Sequence, residues 1–293
     1  MAKAKFPVFG ISDLTANKTG RDFLVVDRFG SYLTANPHLH TMHRHSFYHL
    51  VYFTKGKGKQ LIDFETFAVQ PGCIYFMNPS QVHQWKFEGP VDGYIINFSA
   101  TFFDEVLGRA IPDSFPFFSG DLQQQVLLLN KKTRAIVTDL FEAMIREQQE
   151  RLSRVNQMIS AYMIELFIIL QRTGTITNDP PAGEHHHAPV YRSFMQLVEK
   201  RYHDMRLPGE YASLLYITSN HLNAIARSIA GVPAGEIIRN RVILEAKRLL
   251  INPGLTIAQI ALSLNFPDNA YFTRFFKKYT GVTPETFRKE HYA

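Results

Sequence analysis

The sequence predicts an α+β protein of two domains: a β-rich barrel or sandwich followed by helices, then an all-α domain of two similar helical units joined by a long helix. Three observations carry this. Short alternating strands fill Phe47 to Phe87, glycine- and proline-free amphipathic runs follow Gly120, and the last third repeats itself at an interval of about fifty residues.

The 293 residues, 45% hydrophobic and 20% charged, suffice for one large or two ordinary domains with real cores. The single cysteine, Cys73, excludes a disulfide framework and a cysteine-based zinc site. Tyr162–Leu170, the longest apolar stretch, is too short to span a bilayer and carries Glu165, and Met1–Gly10 lacks the apolar run of a signal peptide. A cytoplasmic protein with no membrane partner is expected. Of 32 basic and 26 acidic side chains, 18 of each fall in residues 1–189, leaving 14 against 8 and the whole +6 in residues 190–293. That asymmetry implies an anionic partner for the last third, nucleic acid first.

In the first part of the chain the turn signals are Lys55-Gly56-Lys57-Gly58, Gln70-Pro71-Gly72 and Asn78-Pro79-Ser80, a hairpin spacing that builds a barrel or sandwich. Gln123–Asn130, Thr133–Arg151 and Ser153–Gln171 carry helical periodicity. Val155, Met158, Ile159, Tyr162, Met163, Leu166, Phe167 and Leu170 share one helix face. Either the chain's own helix or barrel covers that stripe or a second copy does, and homodimerisation through 133–172 is expected. Thr173–Pro189, with Asn178-Asp179-Pro180-Pro181 and Gly183, reads as a linker in which His185-His186-His187 are solvated.

In the repeat, Ala212, Ile217, Ser219, Leu222 and Gly231 recur as Ala261, Phe266, Asp268, Phe272 and Gly281. Each copy is a short helix, a tight turn and a longer helix. In the first, Pro208 opens a helix to Tyr216 and Ser219 caps Asn220–Ala230, ended by Gly231; in the second, Thr256 caps Ile257–Leu264 and Asp268 caps Asn269–Thr280, ended by Gly281. Helix-turn-helix units are thus expected at about 208–231 and 256–281. Between them Ala234–Ile251 reads as one helix, about 27 Å long at 1.5 Å per residue. A rod of that size suits recognition helices about 34 Å apart, one turn of DNA.

Such units lay the second helix in the major groove, where amides pair with adenine and arginine with guanine. The second unit offers Asn269, Thr273, Arg274, Lys277 and Lys278 around Phe272, Phe275 and Phe276; the first offers Asn220, His221, Asn223 and Arg227 around Leu222 and Ile225.

Residues 190–293 resemble the DNA-binding domain of AraC/XylS-type transcription regulators over their whole length. The resemblance lies in Ile257-Ala258-Gln259-Ile260-Ala261, Asn265-Phe266, Tyr271-Phe272-Thr273-Arg274-Phe275-Phe276-Lys277-Lys278, Gly281-Val282-Thr283-Pro284 and Phe287-Arg288. It implies that Arg274, Asn269, Ala270 and Thr273 face bases and that Lys277 and Lys278 lie near phosphates. Asn265 stands where the family usually has glycine, and asparagine tolerates the left-handed turn. Ala224 stands where arginine is frequent, leaving His221, Asn223 and Arg227 as readers in the first unit.

His43-x-His45, then His49 and Gly56, reproduce the spacing of the first cupin motif with His49 in place of glutamate, and His83 follows Pro79 as in the second. Residues 20–100 are similar to the cupin-like sensor domain of such regulators. The resemblance divides the chain into a cupin-like effector-sensing and dimerisation domain at 1–172 (β part 20–100, helices 121–172), a linker at 173–189, and a DNA-binding domain at 190–293. It implies a regulator, not an enzyme, that binds promoter DNA and a small-molecule effector without a required cofactor, with RNA polymerase a partner if it is an activator. The effector pocket would hold His43, His45, His49 and His83 with Tyr48, Tyr52, Phe76 and Trp85. The competing reading, second to the effector pocket, is that the four histidines take Zn, Fe, Ni or Cu. That alternative makes the protein a metal-dependent cupin enzyme with an appended helical domain.

Overall fold

A computed structural model describes residues 7–14, 23–107, 112, 115–118, 124–150, 152–174, 187–252 and 254–291. The chain divides into two units, Pro7–Asp179 and Pro180–Ala293.

The first unit contains ten strands among the described residues: β1 (Val8–Phe9), β2 (Leu24–Arg28), β3 (His43–His45), β4 (Tyr48–Lys55), β5 (Gly58–Ile62), β6 (Glu65–Val69), β7 (Cys73–Met77), β8 (Val82–Phe87), β9 (Asp92–Phe98) and β10 (Val126–Leu128). They form two sheets, β1-β3-β8-β5-β6 and β10-β7-β4-β9-β2. Side chains alternate across a strand. Val51, Phe53, Tyr75 and Ile95 therefore enter one core with Trp85 and with Phe29 of α1 (Phe29–Ala35). Leu50, Tyr52, Phe76, Ile96 and Phe98 enter another with α2 (Phe102–Leu107), α3 (Lys131–Glu150) and α4 (Val155–Gly174). The sheet edge at β2 is occupied by Gln148 of α3, whose Nε2 donates to the Val26 carbonyl at 3.1 Å while its Oε1 accepts from the Val26 N–H at 3.2 Å.

The α4 stripe is covered within the chain. Val155, Ile159, Met163, Leu166, Phe167 and Leu170 are buried in the core shared with the second sheet, while Met158 is exposed. The helix expected over Gln123–Asn130 is replaced by β10, paired antiparallel with β7 from Val126↔Tyr75 to Leu128↔Cys73. A short apolar run has no period that separates strand from helix, and the open edge of β7 supplies hydrogen-bond partners. Residues 121–123 lie outside the described residues, as do 175–186 of the expected linker with His185 and His186. Thr173 and Gly174 continue α4, and Ala188 and Pro189 open the next helix.

The second unit comprises α5 (Ala188–Arg201), α6 (Pro208–Leu214), α7 (Ser219–Ala230), α8 (Ala234–Leu250), α9 (Ile257–Ser263), α10 (Asn269–Thr280) and α11 (Pro284–His291). Thr256 and Gln259 form a reciprocal capping box on α9, and Asp268 Oδ1 accepts from the Tyr271 N–H at 2.6 Å on α10. The cap of α7 is Thr218 and not Ser219: Thr218 Oγ1 accepts from the His221 N–H at 3.2 Å, so the helix starts one residue earlier. Gly231 and Gly281 close α7 and α10 at φ 73° and 83°. α8 has 17 residues, about 25 Å of rod.

The two helix-turn-helix turns are built alike. α6 stops at Leu214, short of Tyr216, because Ile217 N–H reaches back to the Ala212 carbonyl at 3.0 Å, as Phe266 N–H does to Ala261 at 2.9 Å. Both closures need a left-handed residue, and Tyr216 and Asn265 supply it at φ 55°. Tyrosine is a poor choice there, and its ring, 95% exposed, gains no packing. Replacing Tyr216 with glycine is expected to stabilise the protein by about 1 kcal/mol, the strain relieved less the entropy glycine adds to the unfolded chain. Denaturant titration checks it; an equal loss would contradict the strain.

Ionic contacts fasten the helices. Arg241 donates to Glu199 at 2.6 and 2.8 Å and to Glu245 at 3.1 Å, joining α8 to α5, and its guanidinium lies 3.9 Å from the Tyr202 ring centroid. Arg206, ahead of α6, donates to the Leu264 carbonyl and stacks 3.9 Å over Phe266, linking the first helix-turn-helix to the turn of the second. Among the described residues no helix is long and apolar enough to cross a membrane.

Candidate nucleic-acid interface and histidine cluster

On α10, Phe272 and Phe276 are buried, with Phe266 packed against Phe272 at 5.1 Å. Helical spacing then turns Asn269, Ala270, Arg274, Lys277 and Lys278 outward, with Thr273 half-buried at the margin. The result is a polar, basic face on a helix whose opposite side is anchored. On α7, Leu222, Ile225 and Ala226 are buried and Asn220, His221 and Arg227 are exposed.

Asn223 serves a different purpose from the one expected. Its Nδ2 donates to the Ser219 carbonyl at 3.0 Å and its Oδ1 accepts from the Ala234 N–H at 3.0 Å. The amide is spent inside the domain, capping α8, because the residue at the cap position is Pro233 and has no side-chain acceptor. That need was visible in the sequence as a helix opening directly after a proline.

In the first unit four imidazoles meet between the sheets. An H-x-H pair on one strand projects both rings to one face, so His43 and His45 of β3 lie together, and the register His43↔His83 sets His83 of β8 beside them. His49 comes from β4 in the facing sheet. Ring centroids are 4.2 Å apart for His43–His83, 4.5 Å for His45–His83, 4.8 Å for His43–His45 and 4.9 Å for His45–His49. All four are buried. Burial lowers His43 to about 4 and His49 to about 3, and with the mutual repulsion of the rings it holds His45 and His83 well below the ordinary imidazole value. Near neutral pH the cluster is uncharged.

The outer nitrogens are oriented. His43 Nδ1 meets the Thr41 carbonyl at 2.7 Å, His83 Nδ1 the Gln81 carbonyl at 3.3 Å, and His49 Nδ1 the Asn97 side-chain oxygen. Carbonyl oxygens only accept, so each Nδ1 carries the proton and each Nε2 presents a lone pair. Asn97 is in turn held by donating to the Tyr32 hydroxyl at 3.3 Å. Nε2 of His43, His49 and His83, and both nitrogens of His45, are buried without a hydrogen-bond partner.

Trp85 belongs to this cluster, with ring centroids 5.4 Å from His83 and 5.7 Å from His43. Tyr48, Tyr52 and Phe76 do not. On β4 they alternate with His49, and Tyr48 stacks on Phe98 at 5.0 Å while Tyr52 lies 5.9 Å from Phe141 of α3. Phe76, on β7, stacks on Phe117 at 4.0 Å in the same helix-side core. Proximity along the chain places these three beside the histidines, but the two-residue period of a strand turns them to the opposite face. Asn97 is not among the expected site residues, although one amide inside Ile95-Ile96-Asn97-Phe98 is a legible sign of a buried polar role.

Two family models match the chain: an AraC-like ligand binding domain over residues 25–167 and a helix-turn-helix domain over residues 211–290. The chain belongs to the AraC family of transcription regulators. The two models make this AraC-family chain a ligand-sensing, DNA-binding regulator, with the ligand binding domain first and the helix-turn-helix domain last. It is 24% identical over 255 residues to the uncharacterized HTH-type transcriptional regulator YfiF of Bacillus subtilis, covering 84% of this chain and 78% of that protein. It is 39% identical over 71 residues to the transcriptional activator AarP of Providencia stuartii, which is 24% of this chain and 53% of AarP, so the match spans about half of that relative. Among solved structures, unsaturated fatty acid bound ToxT of Vibrio cholerae aligns over 92% of this chain and 95% of that one, at 14% identity and a TM-score of 0.43.

Proposed function

We propose that residues 190–293 form the DNA-binding domain and read two successive major grooves of a promoter through α10 and α7. Asn269, Ala270, Thr273 and Arg274 meet base edges, Lys277 and Lys278 meet phosphates, and Asn220, His221 and Arg227 serve the first half-site. The observation that carries this reading is the exposed Arg274–Lys277–Lys278 face of α10 backed by buried Phe272 and Phe276. Arginine at that place offers the bidentate geometry that discriminates guanine, and lysines offer the salt-dependent backbone grip.

Residues 1–172 act as sensor and dimerisation domain, with 173–189 as connector. Exposed Met158 and Ile168 on the outer side of α4 support a homodimer through 133–172; sedimentation that stays monomeric at rising concentration removes it. The effector binds one arrangement of the sensor better than another and so shifts the population able to hold DNA. The protein works in the cytoplasm, where its promoter lies, and meets RNA polymerase there if it is an activator. We read the barrel as a sensor and not a catalyst because His49 replaces the cupin glutamate and the close histidine group contains no carboxylate.

The experiment that tests the proposal is selection of genomic fragments by the purified full chain in excess competitor DNA. Recovery of a common sequence with two half-sites about 10 base pairs apart is expected. Uniform recovery of unrelated fragments would contradict it.

A further inference from the structure

We propose that the four-histidine cluster between the sheets binds one divalent first-row transition-metal ion through His43, His45, His49 and His83. This deepens the sensor reading, since the ion would be what the sensor detects, but binding itself stands or falls on the geometry.

The first argument is the unsatisfied nitrogens. Five buried imidazole nitrogens lack a partner, and a buried polar group left unpaired destabilises the fold. With the Nδ1 protons of His43, His49 and His83 spent on carbonyl oxygens, His45 alone has an N–H left to donate, so hydrogen bonds among the rings could satisfy at most one bare Nε2, and none forms.

The second argument is the support around the rings. Thr41, Gln81 and Asn97 fix three of the four tautomers with Nε2 bare, the outer arrangement that orients metal-ligating histidines. The candidate ligand atoms of His43, His45 and His83 all lie within 4.8 Å of one another, and His49 stands outside that group, its ring centroid 4.9 Å from His45 and 5.8 Å from His83, as the fourth ligand to be drawn in. Ligands at about 2.0–2.1 Å from a tetrahedral ion stand about 3.4 Å apart, a contraction that small ring rotations supply. An all-imidazole set suits Zn, Ni, Co or Cu and disfavours Mg and Ca, which need oxygen.

The third argument is size. Ring centroids 4.2 to 4.9 Å apart, and 5.8 Å for His49–His83, leave room for an ion and none for an organic effector. An organic-sized groove of about 1060 Å³ exists in the same unit, bordered by Arg28, Ser31, His40, Phe87 and Asp92, and none of the four histidines lines it. The ion would also join the two sheets, because His49 alone stands on β4, whose other face carries Leu50 and Tyr52 against the helix-side core.

The test uses the full chain, purified without an affinity tag, stripped with chelator and titrated with Co2+ and then Zn2+. One equivalent of Co2+ with the visible spectrum of a four-coordinate nitrogen site, displaced by Zn2+, is expected. His45→Ala should abolish it, and Asn97→Ala should weaken it about 10- to 100-fold by freeing His49. The joint change His185→Ala, His186→Ala and His187→Ala should leave it intact. Where His45→Ala does not unfold cooperatively, His49→Gln replaces it and must show weakened binding. No stoichiometric binding by the wild type, or binding lost with His185–His187 and kept in His45→Ala, overturns the site. DNA affinity measured with and without the ion reads the sensing role separately: unchanged affinity at full occupancy sinks that role and leaves the site standing.

Discussion

Arg274→Ala is expected to lower affinity for the selected operator about 5- to 150-fold, the loss of one bidentate base contact worth about 1–3 kcal/mol, and to relax preference at one base pair. The side chain is exposed on α10, so nothing in the core depends on it. Stability should stay within about 0.5 kcal/mol of wild type, as for surface changes away from caps and networks. The direction of the specificity change matters as much as its size. Lys277→Ala, a phosphate-side change, should weaken binding evenly across sequences and reduce the salt slope by about 1. If both substitutions behave alike, Arg274 is only part of the positive field and does not read a base. Competition binding on single-base operator variants separates the two outcomes.

Arg241→Ala is expected to destabilise the helical unit by about 3–5 kcal/mol, the cost of breaking a buried ion pair by removing one partner. Three hydrogen bonds from one guanidinium to Glu199 and Glu245 would vanish, with the stacking on Tyr202. Glu245, 8% exposed, would keep only the 3.3 Å contact from Arg248 among its two guanidinium partners in this network. Glu199 is more open and can regain water, so the lower part of the range is expected. Hydrogen exchange of α5 and α8 amides measures it locally. A change below about 1 kcal/mol would mean that this network is as weak as a surface pair.

What could be read in advance follows from how local each determinant is. Asp268, Thr256, Gly231 and Gly281 announce helix ends because caps and left-handed stops act within a few residues, and the second helix-turn-helix was legible nearly to the residue. Thr218 and Ser219 are adjacent hydroxyls, and only backbone geometry chooses between them. The H-x-H pair gives two imidazoles on one strand face and the cupin spacing names His49 and His83 with them, while strand register and sheet packing decide that all four meet. For Asn223 and Asn97 the sequence shows only half: Pro233 before α8 and an amide within Ile95-Ile96-Asn97-Phe98 mark a need, and the fold alone supplies the partners at Ala234 and His49. β10 shows the opposite limit, a three-residue strand too short to have a period, made by the neighbour that needed it. Tyr48 and Tyr52 lie opposite His49 by the two-residue period of β4, a property of the sequence, whereas Phe76 on β7 needs the sheet to place it in the helix-side core.

The claim that one chain reads DNA with two helices is tested most directly by hydroxyl-radical footprinting of the full chain on its selected operator. Two protected stretches centred about 10 base pairs apart on one face of the duplex are expected, with the one over the Arg274 half-site weakened in Arg274→Ala. A single protected stretch, or two on opposite faces, would contradict it.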